Sequence, residues 1–219
     1  MAKIRHPRVA RVYAVGRDSG WYWYAMDLLP GGSLQERVSQ QGPLKRLATL
    51  SVMDGVLEGL EAVHAAGLIH RDVKPANVML DTQGRPVLVD FGLARHPRGS
   101  VPFRTVADVG MGTLGFIAPE QREDASTVDA RADLFSAGAL LGWLLTGRPI
   151  EGVSWRPDLR PEGMLDAVPP DLHPIVERAT AYSPEDRYQS AREMRADIQE
   201  QLALQGPSWW RKIRAMFEG

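Results

Sequence analysis

His70-Arg71-Asp72-Val73-Lys74-Pro75-Ala76-Asn77 stands near the middle of the chain, and Asp90-Phe91-Gly92 and Ala118-Pro119-Glu120 follow it in order. Between the first two lie Asn77-Val-Met-Leu80 and Pro86-Val-Leu-Val89, joined by Asp81-Thr-Gln-Gly84. Short apolar runs around a Gly-containing turn read as two strands of a hairpin. Asn77 and Asp90 then flank one hairpin, which brings their oxygen-bearing side chains together.

The flanking segments divide by period. Upstream, Val9 to Val15 and Trp21-Tyr22-Trp23-Tyr24-Ala25-Met26 surround Asp18-Ser19-Gly20, which predicts an antiparallel hairpin. Pro30-Gly31-Gly32 breaks that pattern, and Ser33 with Glu36 forms a capping box for a short helix. Leu50, Met53, Leu57, Leu60 and His64 recur at helical steps, so a helix runs from about Lys45 to Ala66 and closes at Gly67. Asp54, Glu58 and Glu61 fall on its other side, which reads as a solvated face. Helical pattern returns at 131–146 and around 171–181. Ser183-Pro184-Glu185-Asp186 reads as a capping box with Pro at the first helical position, and Met194, Ile198 and Leu202 stripe a last helix.

Composition narrows the function classes. The 219 residues are 44% hydrophobic and 24% charged, the proportions of a folded globular chain. With 26 basic and 27 acidic residues the net charge is −1, so no global field draws the chain to nucleic acid or anionic membrane. Cysteine is absent, which excludes disulfides, thiolate catalysis and cysteine-ligated metals. His6, His64, His70, His96 and His173 show no ligand spacing, and a zinc site is not expected. The longest apolar run, within Ala137 to Leu145, falls far short of the roughly 20 residues of a membrane span. No signal-peptide pattern opens the chain, and a cytoplasmic location is expected.

The ordered set H-R-D, Asn five residues after the Asp, D-F-G and A-P-E resembles the signature of the protein kinase family, in its bacterial serine/threonine form. The resemblance runs from His6-Pro7 to about Leu202. It implies an α+β, protein-kinase-like fold with a mostly helical C-terminal lobe and a short β hairpin remnant of the N-terminal lobe. Residues 1–29 would hold the partial N-lobe strands and hinge, 30–204 the C-lobe, and 205–219 a basic and aromatic tail.

Roles follow from the resemblance, residue by residue. Asp72 would orient the incoming hydroxyl and accept its proton, and Lys74 would contact the γ-phosphate. Asn77 and Asp90 would supply the hard oxygen ligands that Mg²⁺ prefers. Met26 resembles the gatekeeper, the backbone of Asp27 and Leu29 would meet the adenine edge of ATP, and Met79 would form an apolar floor. Lys74 together with Thr113 points to Ser/Thr acceptors on proteins. Leu93 to Ile117 resembles an activation segment with Ser100 and Thr105 as candidate phosphosites beside Arg71. Asp133 resembles a buried helix Asp that holds the catalytic loop, and Arg187 the partner of Glu120.

The front of the chain departs from the family. The Gly-rich loop, the strand-three Lys and the helix-C Glu would lie before His6-Pro7, and five residues precede that point. Three accounts compete: a fragment of a longer protein, a truncated non-catalytic remnant, or a partner chain that supplies the missing lobe. The fragment account leads. Rival functions are a kinase-like binding or regulatory module without turnover and a small-molecule phosphotransferase. The hairpin's aromatic edge is expected to make the isolated chain poorly soluble. In the tail, Trp209, Trp210, Ile213, Met216 and Phe217 beside Arg211, Lys212 and Arg214 suit an interfacial membrane helix, but docking on the body is the preferred reading.

Overall fold

A computed structural model describes residues 4–90, 115–123, 128–150, 153 and 156–204. The expected hairpin forms from β1 (Val12–Asp18) and β2 (Trp21–Met26), antiparallel with Val15 opposite Tyr24 and an irregularity between Val12 and Ala14. Its start lies later than Val9. Residues 8–10 instead run along the second hairpin, where the Ala10 N–H donates to Leu88 O at 2.9 Å and the Leu88 N–H to Arg8 O at 2.8 Å. Those bonds tether the first hairpin to the body. The second hairpin is β3 (Val78–Leu80) with β4 (Pro86–Leu88), in register Met79 to Val87.

Helix α1 (Leu34–Gln41) starts at the expected capping box: the Glu36 N–H donates to Ser33 Oγ at 3.1 Å, and Glu36 Oε2 accepts from the Ser33 N–H at 2.7 Å. The bond from the Ser33 N–H holds the Glu36 carboxyl below its ordinary range, assisted by a second from the Ser33 hydroxyl. The segment just before it is clamped to β3. The Gly31 N–H donates to Leu80 O at 3.0 Å, and a Cβ at Gly31 would lie 2.6 Å from that same oxygen. Only glycine permits so close a backbone approach.

Helix α2 (Arg46–Ala65) is the central post, packed by β4, α4 (Arg131–Thr146) and α6 (Ala191–Ala203). It stops as expected, with Gly67 at φ 71°. Leu50, Met53, Leu57 and Leu60 join Leu134, Phe135, Leu140, Leu141, Met194 and Ile198 in one buried core. Helices α3 (Pro119–Glu123) and α5 (His173–Ala179) complete the body. α5 is shorter than the 171–181 pattern, because Pro170–Leu172 is wound as a separate 3₁₀ turn.

Two sequence expectations fail. Ser183 caps no helix: Pro184–Asp186 is a single 3₁₀ turn, and Ser183 Oγ donates to Glu185 Oε2 rather than accepting from the backbone. The cap of α6 is Ser190, whose Oγ accepts from the Glu193 N–H at 3.1 Å. The reason is Arg187, whose extended backbone at φ −83° and ψ 177° ends the turn. Nor do Asp54, Glu58 and Glu61 form a solvated face. All three converge on Arg195 of α6, at 2.8, 3.6 and 3.5 Å, and Glu58 also takes Arg8 at 3.0 Å.

Candidate active site

The segment from His70 to Asn77 is held from below by α4. Asp133, fully buried in the first turn of that helix, accepts from the His70 N–H at 2.8 Å and from the Arg71 N–H at 2.7 Å. His64 Nε2 lies 2.8 Å from the same carboxylate. Arg71 sits at φ 66°, a left-handed conformation that costs a non-glycine residue about 1–3 kcal/mol. A buried carboxylate with two backbone donors is what offsets that cost. The Gln121 side chain adds a further tie, donating to Arg71 O at 3.0 Å. His70 is itself buried, and burial pushes its imidazole pKa down, so it serves as a neutral packing group rather than an acid–base group.

Above this support three side chains meet. Lys74 Nζ lies 2.8 Å from Asp72 Oδ2. Asn77 Nδ2 donates to that same Oδ2 at 2.7 Å and to Asp72 O at 2.9 Å. With its amide nitrogen committed twice, Asn77 has its Oδ1 left as an acceptor. Asn77 ends the short turn Pro75–Asn77, and its carbonyl accepts from the Val89 N–H at 3.0 Å. The hairpin therefore brings Asp90 beside Asn77, as its flanking position implied. Asp90 is also at positive φ, 54°.

Tyr24 was not foreseen. Its hydroxyl donates to Asp90 Oδ1 across 66 positions of sequence. That hydrogen bond, together with partial desolvation, pushes the Tyr24 phenol up to about 12, so it remains a donor at neutral pH. The sequence did carry one signal: Tyr24 lies two residues before Met26, and alternate residues of a strand share a face.

The residues assigned to the nucleotide gather as a second, smaller apolar cluster. Ala10, Val87 and Val89 are buried, and Met26, Leu29 and Met79 pack against them half-buried. The Asp27 N–H donates to Arg11 O at 3.0 Å, so of its backbone pair the carbonyl is the group left for a ligand. The Asp27 carboxylate accepts from the Arg11 N–H at 2.7 Å and from the Tyr13 hydroxyl, which anchors the end of the strand. Phe91, Gly92, Thr113, Ser100, Thr105 and the tail all lie outside the described residues.

Residues 1–157 match the family described as the protein kinase domain. The chain belongs to that family. Among curated relatives it is 37% identical to serine/threonine-protein kinase PknL of Mycobacterium tuberculosis, over 93% of this chain and 54% of that one. It is 36% identical to a probable serine/threonine-protein kinase of Streptomyces coelicolor, over 90% of this chain and 31% of the relative. PknB of Mycobacterium leprae is 34% identical, with 90% and 34% covered. The chain thus spans about half the length, or less, of the curated relatives it matches. Its fold is also that of the crystal structure of Rad53 1-466 in complex with AMP-PNP, with a TM-score of 0.69 at 23% identity, covering 89% of this chain and 51% of that one. The bacterial serine/threonine kinase type read from the sequence is borne out.

The supporting pairs of this kinase-family chain follow the sequence reading. Arg187 Nη1 and Nη2 donate to Glu120 Oε1 and Oε2 at 2.7 and 2.8 Å. The guanidinium is fully buried and lies 5.0 Å from the Phe135 ring centroid. It also donates to the carbonyls of Ala181 and Tyr182. The Ala118-Pro119-Glu120 segment is thereby locked to the chain leading into α6. Ser136 Oγ, bonded to Phe116 O at 2.6 Å, holds the same segment to α4.

Proposed function

We propose that this site transfers the γ-phosphate of ATP to Ser or Thr hydroxyls of proteins, in the cytoplasm. The observation that carries the reading is the convergence of Lys74 and Asn77 on one oxygen of Asp72, with Asp90 beside them across a single hairpin. Phosphoryl transfer requires positioning and charge neutralisation more than covalent help from the protein.

In this reading the acceptor hydroxyl approaches Asp72, which orients it and takes its proton as the oxygen–phosphorus bond forms. The bond from the γ-phosphorus to the bridging oxygen breaks, and ADP leaves with that oxygen. Lys74, paired with Asp72 before substrate arrives, turns its point charge to the γ-phosphate. Asn77 keeps the Asp72 carboxylate aimed by its double amide contact. The adenine lies between Met26, Leu29, Val89 and Met79, with the Asp27 carbonyl and the Leu29 backbone at its edge.

The donor set fits Mg²⁺. Asn77 Oδ1 and the Asp90 carboxylate are hard oxygens, and two protein ligands suit an ion that retains water and shares substrate phosphates. Bound there, Mg²⁺ would neutralise charge on the phosphates.

The test is transfer of labelled γ-phosphate to a protein acceptor, with the chain and its Asp72→Asn variant compared. Labelled Ser or Thr that falls at least about 100-fold in the variant is the expected result. Equal labelling by both would overturn the assignment of Asp72. ATP binding without any transfer would instead support a kinase-like binding module, and label on a small molecule alone would support the small-molecule phosphotransferase.

A further inference from the structure

We propose that Tyr24 is a positioning residue for Asp90: its hydroxyl sets the rotation of that carboxylate and leaves Oδ2 as the oxygen offered to the cation. The inference rests on the phosphoryl-transfer reading above and adds a residue to it.

The argument begins with strand geometry. Tyr22, Tyr24 and Met26 share one face of β2, because successive side chains alternate. Met26 packs with Val87 and Val89, so this face lies over the end of β4, immediately before Asp90. Tyr22, farther out on the same face, is 77% exposed and has the Arg17 guanidinium 5.3 Å from its ring centroid. Tyr24 is 40% exposed, and its polar tip reaches Asp90 Oδ1. The three residues thus grade from solvent, through a hydrogen bond to the candidate metal ligand, to the apolar wall.

Asp90 needs such a partner. Its backbone, at φ 54°, determines where Cβ points but leaves the carboxylate free to turn about two bonds. A carboxylate that must meet a cation beside Asn77 loses affinity with every alternative rotation. A hydroxyl donor on Oδ1 removes those alternatives and draws charge from that oxygen only. Phenylalanine would keep the ring and its packing but not the donor, which separates the hydrogen bond from the fold.

The experiment measures ADP binding to the full chain, by calorimetry or by the fluorescence of nearby Trp21 and Trp23, with and without Mg²⁺. Wild type should bind ADP more tightly with Mg²⁺ than without. Tyr24→Phe should bind metal-free ADP as wild type does and lose about ten-fold of the Mg²⁺-dependent gain, the size expected for a hydrogen bond to a charged group. Asp90→Asn should abolish the gain, and adding Tyr24→Phe to it should change nothing further. A Tyr24→Phe chain that gains as much from Mg²⁺ as wild type, or more, overturns the inference and leaves the phosphoryl-transfer reading standing. A wild-type chain that gains nothing from Mg²⁺ overturns both.

Discussion

Helix α4 and the β1–β2 hairpin are both rich in large apolar side chains, yet they meet opposite fates. Every residue from Ala132 to Leu144 is buried. No residue of Val12–Asp18 or Trp21–Met26 is, and Trp21 is 80% exposed. The difference lies in what surrounds each element. α4 has α2 and α5 against it and collects the Phe116 segment and the Arg187 side chain as well. The hairpin is tethered by its ends and by Tyr24, and the described residues put no third strand beside it. Apolar content therefore marks where burial is wanted, while neighbours decide whether it happens.

The comparison breaks most severely from the buried side. Arg187→Ala leaves Glu120 without its partner and strips donors from two carbonyls. It should cost about 3–5 kcal/mol, read as a lower urea midpoint. An unchanged midpoint would mean that the α4 side of the molecule is not the stability centre. The Arg195 cluster tests an intermediate case, since its groups are only part-buried. Arg195→Ala should cost about 1 kcal/mol and lose most of that effect in high salt, because part-exposed pairs are screened. At the exposed extreme, Trp21→Ser with Tyr22→Ser should change the unfolding free energy by no more than about 0.5 kcal/mol, read from urea titration. Light scattering on the same variant should show less self-association, because an unpaired aromatic edge invites pairing between chains. A large loss of stability there would show that the hairpin is part of the core after all.

Local signals proved legible where the chemistry is local. Ser33 and Glu36 cap α1 because both partners lie within one turn. Asn77 bonds Val89, the residue before Asp90, because a tight hairpin lies between them. The sequence marks Ser183 with Asp186 as a cap, and the structure uses Ser190 with Glu193 instead. The choice was made by Arg187, drawn into its pocket with Glu120 and held in an extended backbone that interrupts the turn. Asp54, Glu58 and Glu61 misled for the same reason. Their spacing shows a polar face, but whether that face meets water or an arginine depends on α6 arriving from about 140 residues away.

By itself, then, the sequence determined the family, the order of the elements, the buried stripes of α2 and α6, and the identity of Asp72, Lys74, Asn77 and Asp90 as the chemical group to examine. Each of these is written in residue types at short, regular separations, where chain geometry leaves little choice. Tertiary structure alone decided that Tyr24 reaches Asp90, that Arg195 gathers three acids, and that the aromatic strand remains in solvent while an equally apolar helix does not. Those outcomes join residues tens of positions apart, and the hydrophobic and electrostatic terms that settle them depend on which surfaces the completed fold brings together.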